Sequence, residues 1–343
     1  MKSLVLATAL TARLTGPPVG GPVLAAPASL SAPLTLAPSL LAASFSPSLG
    51  PAPVAPALTP ALAASVKAET PPLPSAPVPS GHVFVLAGVE SKILGNTRPV
   101  AIYLPPGYET SGKRYPVLYM QDGQNAFDPE TAFRGQDWGL ARTADALIAA
   151  GEMEPVIIVA PYNTAARADE YTPVRDEGES AGGRGDDYGR FLSDELKPLV
   201  DRSLRTKPGP EDTALMGSSL GGLISLHLAV TRPDAFSRAG VLSPSLWWDE
   251  GWMAKTIRRL RLPKALPRLW VDMGTREGRP ESHEANLENL RAMRETLIAR
   301  GWVPGSDLET REIAGAGHSE AFWRERAGLV LRFLFPPKPV TAR

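Results

Sequence analysis

The chain has 343 residues, of which 43% are hydrophobic, and its 36 Lys and Arg balance 36 Asp and Glu. That length suits one large domain or two average ones around a buried core, and the zero net charge gives no field toward nucleic acid or an anionic membrane. The absence of cysteine excludes a disulfide, a thiolate metal site, a cysteine nucleophile and a lipidated cysteine anchor.

Residues 1–80 are built from Ala, Pro, Leu and Ser with almost no charge. Lys2 followed by SLVLATAL, with VLAA at 23–26 as a small-residue cleavage site, reads as a signal peptide over 1–26 and predicts a periplasmic or secreted protein. Prolines such as Pro17, Pro18, Pro71 and Pro72 remove backbone donors and oppose helix and sheet. Residues 27–80 therefore read as a flexible linker, ahead of one domain over 81–337 and a tail at 338–343. No apolar run reaches the ~20 residues of an integral membrane span without a proline in it.

From about residue 82 onward short apolar runs alternate with amphipathic ones. RPVAIYLP (98–105), PVLYMQ (116–121), PVIIVA (155–160), TALMG (213–217), AGVLS (239–243) and RLWVDMG (268–274) predict strands too continuously apolar to have a wet face. Helical spacing falls between and after them at 138–150, 186–203, 220–231, 283–300 and 320–334. This alternation predicts an α/β domain with a mostly parallel central sheet and helices on both faces. In such a sheet ligands bind at the carboxyl ends of the strands.

One of those ends carries Gly217-Ser218-Ser219-Leu220-Gly221, which fits G-x-S-x-G, the strand-to-helix turn that exposes a serine oxygen in α/β-hydrolases. A serine hydroxyl is a weak nucleophile and needs a general base, itself oriented by a third group. Of the four histidines, His82 precedes the first predicted strand, His227 lies inside a helix and His283 opens one. His318, in IAGAGHSEAFW between a strand and a helix, is free to swing over the sheet edge. The acid falls between serine and histidine in chain order. Glu277, just beyond the strand LWVDMG, is the first candidate, with Asp272 inside that strand and Asp249 after SLWW as rivals. An oxyanion needs preorganised donors, here the backbone N–H of Leu220 and one in QDGQNAFD, at Gln124 with Asn125 beside it.

With these residues in place the chain resembles the esterase D-type branch of the α/β-hydrolase superfamily. Its relatives include feruloyl and acetyl-xylan esterases, S-formylglutathione hydrolases, ferric-enterobactin esterases and mycolyltransferases. The resemblance is carried by RPVAIYLPPGYE, YPVLYMQDGQNAFD, ADEYTP, GSSLGGLISLHLAVTRPDAFSRAGVLSPSLWW, VDMGTREG and AGAGHSEAFWRERAGLVLRFLF. It implies that Ser219 is the nucleophile, His318 the base, Glu277 the acid where the family often has aspartate, and Gln124 with Leu220 the oxyanion hole. It also implies a carboxylic ester hydrolase working through an acyl-serine, with no metal and no organic cofactor. The alternatives are an acyltransferase on the same fold and a non-catalytic binding protein.

Substrate-binding candidates are Asn125, Trp247, Trp248, Arg167 and Tyr171, with Trp252, Phe127 and Trp138 also in the expected rim loops. Aromatic rings at a sheet edge suit a small-molecule ester with an aryl or sugar group, and they suit core packing equally well. Arg167 reads more readily as an ion-pair partner of Asp169 or Glu170 than as a contact to an acidic substrate. Nothing in the sequence specifies an oligomeric state.

Overall fold

The computed structural model describes residues 80–337. The signal-peptide and tail readings, and all of the linker reading but its last residue, lie outside the described residues. Within them, eight strands make one sheet in the order β1-β2-β4-β3-β7-β8-β9-β10. These are β1 (His82–Ser91), β2 (Asn96–Leu104), β3 (Val117–Met120), β4 (Ile157–Pro161), β7 (Thr213–Ser219), β8 (Arg238–Pro244), β9 (Arg268–Arg276) and β10 (Leu308–Gly317). A two-stranded ribbon, β5 (Arg175–Asp176) and β6 (Ala181–Gly182), stands apart. β1 pairs antiparallel with β2 and β2 with β4, while β4, β3, β7, β8, β9 and β10 run parallel.

The strands predicted as continuously apolar are buried because both faces of the sheet are covered. Along β3, Val117 and Tyr119 belong to one core and Leu118 and Met120 to the other, the period-2 alternation of a pleated strand. The helices are α1 (Tyr108–Ser111), α2 (Leu140–Ala149), α3 (Arg167–Glu170), α4 (Gly185–Arg190), α5 (Lys197–Ser203), α6 (Leu220–Thr231), α7 (Trp248–Arg259), α8 (His283–Ala299) and α9 (Glu320–Leu334). A π-helical segment, Phe191–Leu196, joins α4 to α5. The first core takes side chains from α6, α7, α8 and the α4–α5 region, and the second takes them from α2 and α9. α6 is apolar all round, and every residue from Leu220 to Val230 is buried, so it lies sunk between neighbours.

Several elements escape the periodicity, and the strand expected before His318 shows it only weakly. β1 and β10 are the two edge strands, and their exposed faces interleave polar or small residues that blur an apolar run. His82 accordingly opens β1, where a position before the first strand was expected. α7 begins with Asp249, Glu250 and Gly251 at positive φ, so its first turn lacks helical spacing.

Candidate active site

Ser219 ends β7 and caps α6 with φ 59° and ψ −127°, a conformation that a side chain rarely adopts. The chain reverses there so sharply that a Cβ on Gly217 would stand 2.6 Å from the carbonyl oxygen of Gly221. The first glycine of the motif is thus required by the close approach of the helix to the strand it follows. Ser218 is buried, whereas Ser219 is partly exposed, with its Oγ 3.4 Å from Ser245 Oγ just past β8.

Because β7, β8, β9 and β10 are successive parallel neighbours, the residues that end them gather along one edge of the sheet. Glu277 follows β9 and His318 follows β10, and His318 Nδ1 is hydrogen-bonded to Glu277 Oε2. The Glu277 carboxyl is 1% exposed; its Oε1 accepts from Ser243 Oγ at 2.5 Å and from the Gly274 N–H at 2.9 Å. Burial pushes its pKa up, but the hydrogen bonds and charge of His318, with those from Ser243 and Gly274, hold it below the ordinary glutamate value. An ionised carboxylate only accepts, so Nδ1 of the imidazole carries the proton in this bond. The imidazole sits edge-on to Trp323, ring centroids 4.9 Å apart. Ser219 and His318 share no hydrogen bond among the described residues; catalytic hydrogen bonds often close only in the Michaelis complex.

Of the rivals for the acid, Asp272 is engaged elsewhere. Asp272 is fully buried, paired with Arg326 at 2.9 Å, and accepts from Trp270 Nε1 at 2.7 Å and from the Ser243 N–H at 3.2 Å. It serves the strand packing expected of an in-strand carboxylate. Asp249 sits at the start of α7, its backbone N–H donating to Asp176 at 2.9 Å.

The loop after β3 lies against the serine turn. A methyl on Gly221 would meet Gln121 Cβ at 3.1 Å and Asp122 Oδ2 at 3.2 Å, and one on Gly123 would fall 2.0 Å from the carbonyl oxygen of Ala160 in β4. Glycine alone lets this loop drop so close to the sheet. Gln124 Oε1 accepts from the Asn163 N–H at 3.2 Å.

What fixes the loop is Arg167, whose Nε and Nη2 grip Asp122 at 2.7 and 2.8 Å while its guanidinium lies 5.2 Å from the centre of the Tyr171 ring. The expected pairing of Arg167 with Asp169 or Glu170 is corrected: Asp169 accepts from the Gly182 N–H, and Glu170 is buried against Arg98 at 2.8 Å. That buried pair ties α3 to β2 and aims Arg167 at the loop. Asn125 uses both ends of its amide internally, donating to Glu320 at 3.2 Å and accepting from the Phe133 N–H at 2.9 Å. Glu320, largely buried, has its pKa pushed up chiefly by burial.

The aromatic rim differs from expectation. Tyr171, Trp138 and Trp248 are core residues: Tyr171 OH accepts from the Asp122 N–H, Trp138 stacks on Trp323, and Trp248 Nε1 donates to the Val174 carbonyl. Trp252 and Phe127 are partly buried against the two cores. Trp247 is 43% exposed, and Phe133, which no sequence signal marked, is 58% exposed. Ser243 and Arg326 also went unmarked, since nothing local in the sequence distinguishes them from core or surface residues.

Among the described residues no group of three or more His, Asp or Glu could hold a metal ion, and no helix is long and apolar enough to cross a membrane.

The fold is of the α/β-hydrolase type and the chain is a carboxylic ester hydrolase. Residues 91–327 match the family model "Esterase: Putative esterase", and the chain belongs to that family. It is 30% identical over 218 residues to an endo-1,4-beta-xylanase/feruloyl esterase of Xylanibacter ruminicola, covering 62% of this chain but only 27% of that longer one. It is 27% identical over 264 residues to the ferri-bacillibactin esterase BesA of Bacillus subtilis, covering 70% of this chain and 87% of that one. A ferulic acid esterase from Anaeromyces mucronatus, solved with ferulic acid, shares the fold with a TM-score of 0.60 at 18% identity, over 78% of this chain and 96% of that one.

Proposed function

We propose that Ser219 is the nucleophile of this esterase, His318 its general base and Glu277 the acid that orients the base, with the N–H groups of Gln124 and Leu220 as the oxyanion hole. The observation that carries this reading is the hydrogen bond from His318 Nδ1 to a buried, ionised Glu277 beside the strained Ser219 turn. Ser219 Oγ attacks the ester carbonyl as its proton passes to His318 Nε2, and the carbonyl oxygen gains its charge opposite the two N–H groups. Collapse of that intermediate expels the alcohol, protonated by His318, and leaves Ser219 acylated. Water, deprotonated by the same imidazole, then releases the acid.

The substrate class proposed is an ester with an aryl group. Support comes from the exposed Trp247 beside β8 and from the names of two similar proteins, a feruloyl esterase and a ferri-bacillibactin esterase. The test is a panel of aryl, sugar and short alkyl esters assayed with and without an added alcohol. Faster turnover of aryl esters to the free acid is expected; transfer of the acyl group to the alcohol as the main product would instead make the chain an acyltransferase. Export through residues 1–26 is proposed from the sequence alone, and the N-terminal residue of the mature protein tests it.

A further inference from the structure

β8 carries an irregularity beside the serine turn: Ser218 pairs with Leu242 and Ser219 with Pro244, so Ser243 is the extra residue of a bulge. Its φ is 41°, in the left-handed region, and its side chain is buried. Bulges next to active sites re-aim side chains, and a non-glycine residue held at positive φ persists only where its surroundings impose it.

Those surroundings determine where the hydroxyl proton points. Ser243 Oγ accepts from Trp323 Nε1 at 2.9 Å and from Arg326 Nη2 at 2.5 Å. A serine hydroxyl has two acceptor sites and one proton, so with both acceptor sites filled the proton is directed to its third neighbour, Glu277 Oε1 at 2.5 Å. The other oxygen, Oε2, is the one bonded to His318. Trp323 and Arg326 stand three residues apart on one face of α9, which starts two residues after His318, so one helix presents both donors just beyond the imidazole. Arg326 also pairs with Asp272 at 2.9 Å and lies 3.9 Å from Glu277 Oε1. One buried guanidinium thus stands between two buried carboxylates and leaves a net single negative charge beside the imidazole.

We propose that Ser243 is a positioning residue for ester hydrolysis, its bulge-turned hydroxyl holding the Glu277 carboxylate so that Oε2 faces His318, and that Trp323 and Arg326 lock the direction of that hydroxyl. The inference rests on the reading of Ser219, His318 and Glu277 as the triad. It accounts for a strained residue that packing alone does not require.

The test is a double-mutant cycle on the full chain with an aryl ester. Ser243→Gly removes the hydroxyl yet adopts φ 41° freely, so relief of backbone strain offsets part of the stability lost with the hydrogen bonds. The expected result is a fall in kcat on the order of 10- to 100-fold with KM within about twofold, and less than about threefold further loss when the change is made in Glu277→Gln. Should Ser243→Gly fold poorly, Ser243→Cys runs the same cycle with a weak S–H donor kept, and the same non-additivity is expected with a smaller first step. Losses that multiply in full across the two sites, or a Ser243 variant with wild-type kcat beside a crippled Glu277→Gln, would overturn the positioning role and leave the triad standing. Wild-type kcat in Glu277→Gln itself would remove the triad reading and this proposal together.

Discussion

The two flanks of Ser219 are held in different ways. On the acid side, Glu277, Ser243, Asp272 and Arg326 are all buried, and their bonds run between β8, β9 and α9 through the middle of the fold. On the side of the proposed oxyanion hole, the turn after β3 is held through Asp122 by Arg167, whose side chain is 30% exposed, and by the half-buried Asn163. Buried charges cannot be left unpaired without a penalty of several kcal/mol, whereas a partly hydrated ion pair is screened and contributes little. The acid side is therefore bound into the stability of the domain, and the oxyanion side can loosen while the domain stays folded.

The largest expected effect is catalytic. Glu277→Gln keeps the shape and removes the charge, and we expect kcat to fall about 10³- to 10⁴-fold in a folded protein. Asp272→Asn, measured beside it at matched folded fraction, is expected to lower the urea midpoint while kcat stays within about tenfold. The reverse pattern would exchange the roles of the two carboxylates.

Next in size is Arg326→Met, which leaves Asp272 and Glu277 buried without their cation. A loss of about 3–5 kcal/mol in unfolding free energy is expected from urea titration. Arg167→Met is the matching cut on the other flank. It should lower kcat/KM about tenfold with a smaller change in stability, because the buried Asp122 keeps its hydrogen bond from Asn163 and the Arg167 side chain is partly exposed. Equal stability losses in the two variants would erase the distinction between the flanks.

The smallest effect concerns pH. Burial raises the folded pKa of Glu320 above its unfolded value, so the proton binds the folded state more tightly and stability is lost as pH rises through the folded pKa. Glu277 has the opposite sign: its depressed pKa contributes stability above the unfolded pKa that is lost as pH falls. Glu320→Gln, which keeps the acceptor for Asn125, should raise Tm by about 1–3 °C at pH 8, with no gain at pH 4.

What could be read from the chain was whatever is local. The serine turn is a five-residue device, and its glycines announce it because the strand and helix that they join nearly touch. The placement of Glu277 and His318 just past strand ends follows from the alternation of strands and helices, as does α6 from its apolar pattern at helical spacing. Ser243 shows none of this. It sits in the apolar run AGVLSPSLWW, and its partners Trp323 and Arg326 are 80 and 83 residues away, in a helix where an arginine reads as solvated. The partner of Arg167 was missed for the same reason: sequence proximity favours Asp169 and Glu170, and the fold supplies Asp122 from a loop 45 residues earlier. Tyr171 and Trp248 were expected at the rim because loops usually are, but each spans from a loop into the core.

The most direct measurement is the mass of the intact chain after treatment with a fluorophosphonate, followed by peptide mapping of the modified residue. The account predicts one adduct per chain, on Ser219, matched by loss of esterase activity and absent from Ser219→Ala. An unmodified chain that still hydrolyses esters, or full activity in Ser219→Ala, would contradict it.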